Sequence, residues 1–492
     1  MLTSPVADLM DTIVLLGGAV APTTREAYGM ANGMRMGGRV VSEVYCVTIV
    51  SINSATGDVD ISQLPAMLTK AGYTPDPEVA SFLDTAEITT LEYVHSQVVH
   101  TPPHTIDSEA LCNFVKSASS KLLLRSECAA DANGEAFGGR EQSPPKKKRA
   151  NSAKLDMDLH VNDPDAVYQK HLKWMNMGKV WRLAFPHVKR KVAVAVIDSG
   201  INWNDPDFAP LKGRVKKKSG SYLDGGWNFI TDSSIMTFVD SHGTNVCKIL
   251  AAKGNNSVGI AGVAPNVTLV PLQILDENGK GPLSRFLAAL HMAIDLEVDI
   301  VSMSLGYYLS GAQARLMQRG LRAAQERGIA LVSAIGYASE LREDDYPCRY
   351  GGPLALCVAY MQDDKTRNVL HTNSGWGRRV DVAAYGTNIF TGRDENGELR
   401  YFNGSSAATP IVTALFAMLL SMDIDPMVAK RLILNNVDPV ECEMPFLMPQ
   451  TIRGGAINAL RTVQRAIHLL PPHGLHRNDG SVLSALDSRV LH

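Results

Sequence analysis

The sequence lacks the features that would settle its class at a glance. Seven cysteines in 492 residues, an odd number without a C-x-x-C pair, exclude a zinc-ribbon framework and a dense disulfide scaffold. Its 48 basic and 50 acidic side chains give a net charge of -2, which offers no electrostatic case for nucleic acid or an anionic membrane as partner. No apolar run approaches the roughly 20 residues that cross a bilayer, so no transmembrane segment is expected. Aromatic residues are only 6% of the chain, but 45% is apolar and 20% charged, the composition of a globular protein. A chain of this length exceeds one ordinary domain and has room for a large core with one or two smaller units.

The N-terminal third carries pattern but no chemistry. An apolar run from Ile13 to Ala21 ends in Ala19-Val20-Ala21, a pattern signal peptidases cut, while Asp8 and Asp11 stand where a positive flank belongs. Residues 1–21 are therefore open to either reading as a signal peptide. Alternation from Arg39, a helix over Ser62 to Ala71 and a β-rich piece from Ile88 predict a small α+β unit within residues 22–128. Residues 129–157 turn to Ala, Asn, Gly, Ser, Pro and charge and read as a basic flexible linker. Within it, Lys146-Lys147-Lys148-Arg149 admits three readings: an import signal, a processing site or a solvated tether.

From 158 to 468 the text alternates buried strands and helices. Val192 to Asp198, Val267 to Leu275, and the runs from Asp299, Ile329 and Leu354 read as strands. The stretches His242 to Lys253, Leu283 to Leu296 and Gln313 to Arg327 read as helices between them. Continuous apolar strands predict a doubly wound α/β fold, its mostly parallel sheet flanked by helices, with its site at the carboxyl ends of strands. Residues 469–492 form a tail without strong periodicity.

Three stretches carry candidate chemistry. In Tyr401 to Pro410 a small-residue loop delivers Ser406 to the start of an apolar helix, where free N–H groups and the helix dipole favour a developing oxyanion. Asp198 closes a buried strand and needs a partner for its charge. His242 opens the helix after Ser241 and is the natural proton acceptor for a serine. Singly these are an N-cap, a turn and a helix entry; together, the order Asp, His, Ser is one of the arrangements of a catalytic triad.

At this point residues from about Asp163 to Ile467 resemble the catalytic domain of the subtilisin-like serine proteases, the subtilases. The resemblance rests on VAVIDSGI around Asp198, SHGTNV around His242, SVGIAGVAP from Ser257, VSMSLG from Val301 and NGSSAATP around Ser406. It implies hydrolysis of a polypeptide substrate through an acyl-enzyme on Ser406, with His242 as base and Asp198 as its orienter. It further implies that the peptide is bound between Gly279-Lys280-Gly281 and Ser304-Leu305-Gly306. A structural Ca²⁺ is implied at Asp207, Asn256 and Gln169 with the carbonyls of Gly254, Val258 and Ile260, a loop that by itself reads as an Asn-rich turn. By the same resemblance the N-terminal unit is a pro-region that folds the enzyme and then inhibits it, the basic run is a candidate activation site, and the setting is the secretory pathway.

The chain departs from the family in places. Where subtilases carry the oxyanion-donating asparagine, Gly336 is followed by Tyr337, whose hydroxyl either replaces that amide or whose ring fills the cleft. The alternative function is therefore an impaired subtilase fold serving as a peptide- or protein-binding scaffold. Asn245, Lys248 and Ile411 replace a histidine, a small residue and a histidine. Cys348 and Cys357 are open to two readings, a bridge or two buried thiols, and Cys348 follows Pro347, a candidate cis proline near the expected specificity pocket.

Overall fold

The computed structural model describes residues 34–36, 39–41, 46–55, 57–102, 105–136, 156–237, 242–337, 344–394, 396–442 and 452–470. The expected signal segment, the Lys146–Arg149 run and the tail beyond 470 lie outside the described residues.

The N-terminal unit is an antiparallel sheet with helices on one side. Its main strands are β1 (Cys46–Ser54), β2 (Glu87–Leu91), β3 (Ser96–Thr101) and β4 (Arg125–Ala130), with β1 paired to both β3 and β4. Helices α1 (Leu64–Lys70), α2 (Pro77–Leu83) and α3 (Ser108–Lys121) cover one face. Asp76 caps α2 by accepting from Glu78 and Val79 N–H, and Asp107 caps α3 from Ala110 N–H, so acidic residues set both helix starts. Alternation along β1 splits its side chains: Val50 and Ile52 face Leu64, Leu111 and Val115, whereas Ile49 faces away from them. Ile49, Leu91, Val94 and Val98 instead join the core of the larger unit. A disulfide between Cys112 and Cys128, unforeseen in the sequence, ties α3 to β4.

The first residues of the expected linker, from residue 129, are in strands: Ala129 and Ala130 close β4. Asn133–Ala136 forms a further strand, β5, because the two strands either side of it supply the main-chain pairing that its composition does not favour.

The larger unit is the expected doubly wound fold. Its parallel strands are β6 (Ala193–Asp198), β7 (Thr268–Gln273), β9 (Ile300–Met303), β11 (Ala330–Ala334), β12 (Ala355–Met361) and β13 (Val382–Tyr385), in the order β7-β6-β9-β11-β12-β13 within a sheet of eleven strands among the described residues. Successive β6 residues alternate between two cores: Val194 and Val196 face one helical layer, Ala195 and Ile197 the other. The first layer holds α4 (Met177–Ala184), α5 (His242–Ala251) and α8 (Ser405–Ser421); the second holds α6 (Leu283–Asp295) and α7 (Gly311–Glu326). The chain winds from β6 to β7 on one side and returns as β9 on the other, so the carboxyl end of β6 is a topological switch point. Every residue of α8 is buried, which its apolar circumference requires.

Beside this sheet, β8 (Lys280–Pro282) and β10 (Leu305–Tyr308) stand either side of β5 in a small antiparallel sheet. The pairing is Lys280 to Glu135, Gly281 to Gly134, Leu305 to Ala136 and Gly306 to Glu135.

Candidate active site

Asp198, the last residue of β6, lies at the switch point and is fully buried. Its Oδ1 accepts from Nδ1 of His242 at 2.7 Å and from Ser199 N–H at 2.7 Å. Gly243 explains how the helix comes so near: a Cβ there would lie 3.0 Å from Asp198 Oδ1 and collide with Gly200 O. Its N–H donates to the Ser199 hydroxyl oxygen at 2.9 Å. The imidazole is buried, with Phe402 edge-on at 5.2 Å. Phe402 ends β15 (Leu399–Phe402), which pairs with β14 (Ile389–Arg393) and leads into the loop before α8.

Ser406 is the second residue of α8, after the N-cap Gly404, whose φ of 115° suits only glycine. The neighbouring Ser405 hydroxyl donates to Ile335 O at 2.6 Å, fastening the helix start to the end of β11. Pro410 has no N–H for the carbonyl four residues back, which is that of Ser406; the Ser304 hydroxyl donates to it instead, at 3.1 Å. In return the Ser406 hydroxyl donates to Ser304 O at 3.0 Å. His242 and Ser406 thus come from α5 and α8, which pack on one another in one layer, and Asp198 from the end of β6 beneath them.

Gly279, Lys280, Gly281 and Ser304, Leu305, Gly306 fall on or beside β8 and β10, and the strand between them is β5 of the same chain. Ala136 N–H donates to Gly279 O at 3.0 Å, extending the ladder. Tyr337, three residues beyond the end of β11, is half exposed, and its hydroxyl donates to Ala136 O at 3.4 Å. The Tyr337 ring and β5 therefore lie side by side.

A profile of the subtilase family matches residues 189–458, which include all three motif stretches. The chain belongs to the subtilase family. Minor extracellular protease Epr of Bacillus subtilis is 30% identical over 259 residues, 53% of this chain and 36% of Epr, so the match takes in about a third of that relative. Thermitase of Thermoactinomyces vulgaris is 28% identical over 271 residues, 55% of this chain and 88% of thermitase. Fervidolysin from Fervidobacterium pennivorans, a keratinolytic enzyme related to subtilisin, superposes with a TM-score of 0.59 at 20% identity, covering 88% of this chain and 62% of that one; the likeness is one of fold.

In this subtilase two of the remaining departures, Lys248 and Ile411, have local explanations. Lys248 forms an ion pair with Asp205 at 2.7 Å, so a long side chain is accommodated where the family has a small one. Ile411 is buried in the α8 layer. Of the two readings of Cys348 and Cys357, the bridge is formed, and the Tyr346–Pro347 bond is cis.

The residues that the resemblance assigns to calcium gather at one loop. Asp207 is buried, accepts from Ile260 N–H at 3.0 Å and from Asn256 Nδ2 at 3.2 Å, and burial pushes its carboxyl up to about 7. Asn256 Oδ1 accepts from Val258 N–H at 3.0 Å. Asp163, which the sequence reading passed over, is buried against the same loop and accepts from Asn255 and Asn256 N–H at 2.7 and 3.1 Å. Gln169 spends its amide on both backbone groups of Ala261, at 2.7 and 2.9 Å, and is the least available of the set. Two buried carboxylates, Asp163 and Asp207, with the amide oxygen of Asn256 at the same loop are donors of the kind a hard cation takes.

Proposed function

We propose that this subtilase is a serine endopeptidase made as a zymogen. The Ser406 hydroxyl attacks the peptide carbonyl, His242 takes its proton and later gives it to the leaving amine, and Asp198 orients the ring and stabilises the imidazolium. To reach this state the Ser406 hydroxyl leaves Ser304 O and turns to Nε2 of His242. The first-turn N–H of Ser406 faces the developing oxyanion. The observation that carries the reading is the buried Asp198–His242 bond beside the helix that presents Ser406.

The N-terminal unit acts as an intramolecular inhibitor, a reading supported by β5 between the two strands where a substrate would bind. A calcium ion held by Asp207, Asn256 and the loop carbonyls fixes that loop; heating with and without chelator tests this, and an unchanged midpoint removes the ion. Secretion is supported by the two disulfides, which belong to an oxidising compartment. One observation favours an impaired scaffold: Tyr337 in the oxyanion position, where losing one donor costs about 10²–10³ in turnover. Such a loss weakens a protease without removing its nucleophile.

Labelling of processed protein with a fluorophosphonate probe, beside Ser406→Ala, decides between the two. Labelling confined to the wild type is the expected result. Folded, processed protein that takes up no probe would leave only the scaffold.

A further inference from the structure

The small sheet at the cleft contains one contact that main-chain pairing does not explain. Gly134, at the centre of β5, lies against the ring of Tyr307. A Cβ at Gly134 would stand 2.6 Å from Tyr307 Cδ1 and nearer still to Cε1 and Cζ. Gly134 does not lie in the left-handed region, so its backbone is open to any residue. Space alone excludes a side chain.

The ring has little freedom to withdraw. Tyr307 is 1% exposed, Phe286 packs against it edge-on at 5.6 Å, and its hydroxyl donates to Pro282 O at 3.4 Å. On the far side its backbone pairs with Tyr346 in the strand Asp345–Tyr346, which blocks movement of β10 away from the cleft. Overpacking against so fixed a ring is strongly unfavourable. The position concerned is the one that pairs with Gly281, two residues before Ala136.

We propose that Tyr307 is a specificity-determining residue: it closes the cleft to side chains at the strand position paired with Gly281, so that the polypeptides this enzyme accepts carry glycine there. The inference rests on reading β5 as an occupant of the cleft in the manner of a substrate. On that reading the chain's own segment, Asn133-Gly134-Glu135-Ala136, already obeys the rule it imposes on substrates.

The test compares peptides of the sequence of residues 129–142 carrying glycine, alanine or leucine at the position of Gly134. They are given to processed enzyme whose active fraction is set by fluorophosphonate labelling. The glycine peptide should be hydrolysed, with kcat/KM lower by about tenfold for alanine and about 100-fold for leucine. Tyr307→Val, a milder truncation than alanine, should narrow the glycine-to-leucine gap. Equal rates for all three peptides on wild-type enzyme overturn the inference and leave the protease reading intact. Labelled enzyme that cuts none of them overturns the substrate-like reading of β5 and the inference with it. A second measurement does not depend on activity. In the full-length Ser406→Ala chain, Gly134→Leu should expel β5 and remove hydrogen-exchange protection from Lys280, Gly281, Leu305 and Gly306, and adding Tyr307→Val should restore it. Protection unchanged in Gly134→Leu would sink the proposal.

Discussion

The central parallel sheet and the small antiparallel sheet at the cleft are held in place by different means. In the first, side-chain identity fixes position: Asp198 binds His242, Gly243 makes room for Asp198, and Pro410 frees the Ser406 carbonyl for Ser304. In the second, β5 is bonded to β8 and β10 through its main chain, and residue identity matters at few points. One is Gly134; another is Asp131, just ahead of β5, which accepts from Ser284 N–H at 3.0 Å and from the Ser284 hydroxyl. Asp131 thereby caps α6 from the other unit, and Leu283 N–H donates to Ala132 O at 2.7 Å beside it. A site that performs chemistry must specify atoms, whereas a segment that docks need only specify an extended backbone and the space beside it.

The largest expected effect lies on the chemical side of that contrast. If the oxyanion site lacks a donor because of Tyr337, then Tyr337→Asn should raise kcat by up to about 100-fold at similar KM. The phenol also touches Ala136 O, so Tyr337→Phe should leave kcat near the wild-type value and alter only retention of the N-terminal unit. A drop in kcat with Tyr337→Phe would instead make the hydroxyl the donor, and the two sheets would then share a residue.

Docking should respond less steeply. Asp131→Ala in the uncut Ser406→Ala chain removes a buried carboxylate with both its bonds from Ser284 and leaves the α6 terminus uncapped, a loss of about 1–3 kcal/mol. Urea unfolding of the N-terminal unit should shift to lower concentration accordingly, and Ser284→Ala, which keeps the backbone donor, should shift it less. An unmoved transition would assign docking to the apolar face of Ile49, Leu91, Val94 and Val98 alone.

The same contrast explains what was legible in the sequence. The strands and helices that carry Asp198, His242 and Ser406 could be read because periodicity and motif coincide there. The expected helix over His242 to Lys253 is seen as His242–Ala251, and the strand expected over Val192 to Asp198 as Ala193–Asp198. Strand β5 reads as linker in the sequence because Asn, Gly, Glu and Ala carry no strand propensity, and the sheet edges that select them lie about 145 and 170 residues away in the chain. The Cys112–Cys128 bridge had no spacing signal, although the matching burial of both cysteines in the N-terminal core now accounts for it. Asp163 was passed over because its partners, Asn255 and Asn256, are brought to it only by the fold.

The gentlest break separates pH dependence of stability from pH dependence of catalysis. His171 lies in the short helix Lys170–Trp174, fully buried, and among the described residues neither ring nitrogen has a hydrogen-bond partner. Burial lowers its pKa from 6.5 to about 3. Between those values the unfolded chain binds a proton that the folded chain does not, so stability falls as pH falls, by about 1.4 kcal/mol per unit, and is whole above pH 6.5. His171→Leu, which fills similar space without a titrating group, should flatten this part of the stability profile while leaving the pH dependence of hydrolysis to His242. If the slope between pH 6 and pH 4 survives the substitution, acid sensitivity belongs to other groups, and the burial of His171 is a matter of packing alone.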